Sequence, residues 1–141
     1  MKDNKFETKA IREGYKASQE QEHSAAIFLT SSFTFDSAEQ AAQRFAKEEQ
    51  GNVYSRFTNP TVEAFQDKLA SLEDAESCLA TASGMSAIFA TIMTLSKPGD
   101  HIVASRGMFG TTTVLLNTIV NKFDIEVTFV DLPDLVTWQD S

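Results

Sequence analysis

Between residues 78 and 130 the chain alternates short apolar runs with segments of helix length, and few folds accept that alternation. Cys78–Ala82, His101–Ala104 and Ile125–Val130 read as strands. Between them, Met85–Leu95 is apolar on two faces, Ile88/Ile92/Leu95 and Met85/Phe89/Met93, and Gly110 to about Val120 reads as a second helix. Ser83-Gly84 and Pro98-Gly99-Asp100 break the pattern at the joints. Strands separated by helices of this length form βαβ units, with parallel pairing and right-handed crossovers. The expected class is therefore α/β. Three such strands make half an open sheet, and parallel strands need cover on both faces. Asp131–Leu135 has the look of a loop entering one more helix just before Ser141, so the expectation is an incomplete α/β domain.

The preceding part is organised differently. Residues 1 to about 25 are polar and aperiodic, an expected exposed arm with one short helix, and Ala25–Phe35 is apolar and β-prone. Ser37 with Gln40 fits a capping box opening a helix to about Lys47. A stronger start follows: Asn59 can cap, Pro60 suits the first helical position, and Glu63 favours the helix dipole. Val62, Phe65, Leu69 and Leu72 then recur at spacings of three, four and three, which lays one apolar stripe along a helix.

Composition removes several function classes. With 20 acidic against 12 basic side chains, a net charge of -8 disfavours nucleic-acid and anionic-membrane binding, which rest on clustered Lys and Arg. One cysteine, Cys78, excludes an internal disulfide framework and multi-cysteine zinc sites. Apolar stretches are interrupted well before the ~18 residues a membrane helix needs. The N-terminal MKDNKFETKAIREGYK has no apolar core of a secretory signal, so a soluble cytoplasmic protein is expected.

Three loops carry candidate chemistry. Ala82-Ser83-Gly84-Met85-Ser86-Ala87 stands at a strand-to-helix junction, where unpaired amides and the dipole attract phosphate. The same residues also suit an ordinary tight turn with a serine cap. They match neither GxGxxG nor a P-loop, and a nucleophile elbow would need a second glycine. Gly51–Thr61 places Tyr54 and Arg56 two apart in an expected extended loop, so both side chains can face one way and offer a hydroxyl and a guanidinium fork to an anion. Taken alone, the segment reads more simply as a plain surface loop before a helix. Ser105–Thr112 follows a strand at the edge where α/β sheets bind ligands, and Phe109 between two glycines suits stacking on a flat group. A buried core phenylalanine is the alternative. His23, His101 and the Glu48-Glu49 pair read as structural or solvated.

Together, Tyr54-Ser55-Arg56-Phe57-Thr58-Asn59-Pro60-Thr61, Ala82-Ser83-Gly84-Met85-Ser86-Ala87 and the Gly110 loop resemble, in order and spacing, the Cys/Met-metabolism PLP-dependent enzymes. That family includes cystathionine γ-synthase, the cystathionine lyases, methionine γ-lyase and the sulfhydrylases. The resemblance covers essentially the whole chain and corresponds to the N-terminal third of such an enzyme. It implies a fold-type I PLP-dependent transferase-like architecture: residues 1–59 as an N-terminal arm and dimer-contact segment, residues 60–141 as the first part of the PLP-binding domain. The Phe28–Phe33 and Phe35–Glu39 segments, and Phe109 where most relatives carry a tyrosine, are most similar to the O-succinylhomoserine sulfhydrylase branch.

What the resemblance implies is specific. The cofactor is pyridoxal 5'-phosphate. Ser83, Gly84 and Met85 bind its phosphate, Phe109 stacks on its ring, and Tyr54 and Arg56 reach the phosphate held by a neighbouring subunit. The assembly is a homo-oligomer, a dimer of dimers, acting on a small amino-acid substrate with no nucleic acid or membrane as partner. The reaction is γ-replacement, O-succinylhomoserine plus sulfide giving homocysteine plus succinate in methionine biosynthesis. Another family chemistry, such as that of cystathionine γ-synthase or methionine γ-lyase, is the alternative, as is a non-catalytic fragment. The family's Schiff-base lysine and the aspartate facing the pyridine nitrogen match no residue of this chain. No catalytic residue is therefore expected within it, and the chain alone is expected to be inactive. A different small phosphate- or nucleotide-binding α/β domain is the reading outside the family.

Overall fold

The computed structural model describes residues 4–141. The chain forms two compact units, one extending to Ala80 and the other running from Thr81 to Ser141. These units follow packing, whereas the sequence division at residues 59 and 60 separates segments by expected role.

In the first unit, α1 (Phe6–Arg12) is the single short helix of the arm and packs on α3 (Pro60–Leu72). Helix α2 (Ala38–Phe45) begins where the capping signal lies, with Ser37 Oγ accepting from Gln40 N at 3.1 Å. The return bond of the box shifts by one residue: Gln40 Oε1 accepts from Asp36 N, not from Ser37. Helix α3 starts as the sequence dictates, Asn59 Oδ1 accepting from Thr61 N at 2.9 Å with Pro60 in the first turn. Its stripe is only partly covered. Val62 and Phe65 are exposed, and Ala70 is the one buried side chain of the helix.

The Ala25–Phe35 segment forms no strand. It makes one antiparallel bridge, Ser32 to Tyr54, flanked by Phe33 N donating to Val53 O and Ser55 N donating to Ser31 O. Cys78–Ala82 is also irregular, which corrects its reading as a buried strand. A strand is defined by its partner, and no ladder reaches this segment among the described residues. Instead Ala80 N donates to the side chain of Gln66 at 2.8 Å, and Leu79 lies exposed.

The second unit holds α4 (Gly84–Leu95), β1 (His101–Ser105), α5 (Gly110–Val114), β2 (Glu126–Val130) and α6 (Leu135–Asp140). Strands β1 and β2 pair in parallel, with Ile102 opposite Val127 and Ala104 opposite Phe129. The sheet thus has two strands among the described residues, not three. The crossover between them is one α5 turn continued by a π turn over Leu115–Ile119 and a 3₁₀ turn over Val120–Phe123, where an uninterrupted helix was expected. It ends at Asp124, whose φ of 58° stops the helix, and Asp124 O receives Gly99 N at 2.6 Å. Gly99 itself has a φ of +88°, a backbone conformation that favours glycine. Ala104, Leu116, Val120 and Ile125 form the core, with Ile102, Val127 and Phe129 packed against it from one face of the β1–β2 ribbon.

Candidate functional site

Helix α4 presents an unobstructed N-terminus. Ser83 caps it in extended backbone, its Oγ accepting from Ser86 N at 3.2 Å and lying 2.9 Å from Ser86 Oγ. The Ser83 carbonyl receives Ala87 N. Two first-turn amides remain, those of Gly84 and Met85, with no acceptor among the described residues. No acidic residue occupies this turn. A Cβ placed on Gly84 would meet nothing within 4 Å, so the first turn is open on that side. Free N–H donors, a partial positive dipole and no competing carboxylate are the features that suit a helix terminus to an anion.

The β1–α5 loop brings an aromatic ring to the same unit. Arg106 N donates to Val130 O at 2.8 Å, and the Arg106 guanidinium stands 3.6 Å from Asp131, which fixes the loop where it leaves the sheet. Met108 turns toward the core, while Phe109 is 77% exposed. That exposure decides between the two readings of Phe109: it is not a core residue. Its carbonyl receives Thr112 N and Thr113 N, so the ring projects from the first turn of α5. Thr112 Oγ1 donates to Met85 Sδ at 3.9 Å, a weak contact that joins the start of α5 to the start of α4. The sequence reading passed over Thr112. Its position three residues after Phe109, in a first helical turn, was the available signal.

Tyr54 and Arg56 lie in the first unit, on a turn where an extended loop was expected. Phe57 N and Thr58 N both donate to Tyr54 O, so the chain reverses at once. The two side chains still face each other, with the Arg56 guanidinium 5.2 Å from the Tyr54 ring centre and 5.6 Å from that of Phe57. A cation over aromatic faces is held in place while its N–H groups stay available to an anion. Ser55 anchors the turn by donating to the Thr30 carbonyl, and Asn59 Nδ2 donates to Ser55 Oγ at 3.0 Å.

The sequence profile of the family described as "Cys/Met metabolism PLP-dependent enzyme" matches residues 7–141. The chain belongs to this family. It is 49% identical, over 95% of its length, to O-succinylhomoserine sulfhydrylase of Pseudomonas aeruginosa, and spans 33% of that protein. It is 48% identical, over 77% of its length, to L-methionine gamma-lyase of Fusobacterium nucleatum subsp. polymorphum, of which it covers 28%. The crystal structure of an O-acetylhomoserine (thiol)-lyase of Campylobacter jejuni superposes over 98% of this chain and 34% of that one, with a TM-score of 0.88 at 31% identity. That crystal structure contains an N'-pyridoxyl-lysine-5'-monophosphate. The chain thus spans about a third of the length of these relatives, and its architecture is the corresponding part of the fold-type I PLP-dependent enzymes. No helix among the described residues is long and apolar enough to cross a membrane.

Proposed function

We propose that this chain supplies the phosphate-binding and ring-stacking elements of a PLP-dependent γ-replacement enzyme. The observation that carries the cofactor role is the α4 N-terminus, with two amides free of acceptors among the described residues, open space beside Gly84 and no acid in its first turn. These residues fit a phosphate monoester. Gly84 and Met85 donate backbone amides and Ser83 its hydroxyl, while Phe109 covers one face of the pyridine ring. Tyr54 and Arg56 serve the phosphate of a neighbouring subunit, within a dimer of dimers whose contacts involve the residue 1–59 arm, while residues 60–141 open the cofactor domain. Bound PLP supplies the electron sink that stabilises carbanions of an amino-acid substrate. None of the chain's eight lysines matches the family's covalent lysine, so the 141 residues alone are proposed to bind PLP non-covalently and to be inactive. The protein acts in the cytoplasm.

The substrate reading is O-succinylhomoserine with sulfide, giving homocysteine and succinate for methionine biosynthesis. It rests on the sulfhydrylase relative from Pseudomonas. The methionine gamma-lyase relative, at nearly the same identity over a shorter span, favours a second reading in which methionine is degraded.

Titration with PLP and with phosphate-free pyridoxal tests the cofactor role. Wild type should bind PLP at least about tenfold more tightly than pyridoxal, as expected when charge-assisted bonds to phosphate worth ~1.5–3 kcal/mol are lost. Gly84→Glu keeps the helix, because a first-turn carboxylate favours the dipole and the new side chain meets open space. It should nonetheless erase the difference between the two ligands. Equal affinity of wild type for both would overturn the assignment. For the reaction, an assay of the whole protein should release succinate in a sulfide-dependent manner; methanethiol from methionine as the dominant product would establish the second reading.

A further inference from the structure

In the first unit, Arg12, Tyr15, His23, Ser24 and Lys68 line a hollow of about 250 Å³, with apolar walls at Ile11 and Ala64. None of these residues is among the candidate cofactor contacts. The hollow is built by a backbone approach: Gly14 has a φ of +71°, and a Cβ there would sit 2.2 Å from Ala64 O. Only glycine lets the chain leaving α1 lie this close to α3.

In so acidic a chain, the carboxylates near this hollow would be expected to neutralise its cations. Three of them are engaged elsewhere. Glu13 receives Asn4 Nδ2 at 3.4 Å, and Glu22 accepts from Ser18 N at 2.9 Å and Ser18 Oγ at 2.6 Å. Asp67, beside Lys68 in sequence, pairs with Lys16 at 3.0 Å. Arg12 and Lys68 are left without a carboxylate partner among the described residues. Arg12 Nη1 instead donates to His23 Nε2 at 3.3 Å. A guanidinium has no lone pair to offer, so the ring nitrogen is the acceptor in this contact.

We propose that this hollow binds a phosphate monoester dianion. The lining residues carry a guanidinium fork, an ammonium, an imidazole and two hydroxyls, a set suited to the several oxygens of a phosphate. The apolar walls accommodate a short organic group attached to it.

Hydrogen exchange read by mass spectrometry on the 141-residue chain separates this site from the α4 terminus. Inorganic phosphate, at ionic strength matched with sodium chloride, should protect peptides spanning residues 11–15 and 23–25. Arg12→Gln and Lys68→Gln should each raise the phosphate concentration for half-protection about tenfold, the loss expected for one charge-assisted bond. Gly84→Glu, in the second unit, should leave the response in place, whereas Lys16→Gln, which frees Asp67 beside Lys68, should weaken it. The proposal fails if these peptides respond no more to phosphate than to chloride, if both cation variants respond as wild type does, or if succinate protects them equally well.

Discussion

Asn59 is buried at 6% exposure and uses both ends of its amide. Oδ1 caps α3 through Thr61 N, while Nδ2 donates to Phe28 O at 3.1 Å and to Ser55 Oγ at 3.0 Å. Thr61 Oγ1 accepts from Phe28 N at 2.8 Å, so the Phe28 peptide is held from both sides. One residue thereby starts a helix and fixes the turn carrying Tyr54 and Arg56. Asn59→Ala removes a cap worth ~1 kcal/mol and two part-buried hydrogen bonds, a total of about 2 kcal/mol. Asn59→Asp tests the division between these roles. It keeps the cap but loses both Nδ2 donations and sets a carboxylate against the Phe28 carbonyl, so it too should destabilise. The midpoint of urea unfolding measures both variants, and a wild-type midpoint for Asn59→Asp would show that the Nδ2 bonds contribute nothing.

At the level of elements, the helix starts were legible because capping is local chemistry. Ser37, Asn59 and Ser83 each accept from an amide two or three residues ahead, as their side chains and neighbours dictate. Strands β1 and β2 were legible as apolar runs bounded by turn residues. Cys78–Ala82 was not, because its composition states an affinity for a sheet but not whether a neighbouring strand pairs with it. The tight turn after Tyr54 also escaped, since its anchor is Ser55 bonding to Thr30, a contact between segments that sequence spacing does not reveal. At the candidate site, the exposed Phe109 and the open α4 terminus follow from local residues, whereas their link through Thr112 and Met85 needs the fold.

The packing of α1 on α3 has a charge component with a definite pH dependence. Lys9 Nζ donates to Ser71 O at 3.1 Å and to Asp74 Oδ1 at 2.6 Å, and its bond and charge hold the Asp74 carboxyl below the usual carboxylate range. Asp67, by hydrogen bond and charge, raises the Lys16 ammonium above the usual lysine range. The Asp74 contribution is complete above the unfolded aspartate value, about 4, and is lost as pH falls through the lower folded value. That of Lys16 is complete below the unfolded lysine value, about 10.5, and is lost as pH rises through the higher folded value. Between those limits neither contribution varies with pH. Asp74 and both partners of the Lys16–Asp67 pair are exposed, so salt should weaken these contacts. Exchange of the α1 amides, corrected for intrinsic rates, should be flat from mildly acid to mildly alkaline pH and faster below pH 4. Lys9→Met should remove the acid limb; an acid limb unchanged in this variant would mean that other carboxylates hold α1.

For the molecule as a whole, the distribution of buried apolar surface sets the order of stability. In the second unit, Val120, Ile125 and Val130 are almost fully enclosed, and both strands contribute to one core. In the first unit Ala70 is the buried apolar side chain among the described residues, while Ile27, Leu29, Phe57 and Phe65 are exposed. Burial contributes roughly 25 cal/mol per Å² of apolar surface, so the second unit has the larger reserve against opening. Amide exchange should accordingly show two tiers, with β1, β2 and the Leu115–Phe123 turns protected longest. The exposed groups have a second consequence. Leu79, Leu95 and Phe109 leave the second half of the chain with apolar surface as well, more than a net charge of -8 can keep dispersed. The 141-residue chain should bind a hydrophobic dye in its folded state, and its light scattering should rise faster than linearly with concentration. Added salt, by screening the acidic surface, should enhance that rise. A dye-silent chain with concentration-independent monomer mass would show that these side chains are covered in solution by rearrangement within the chain itself.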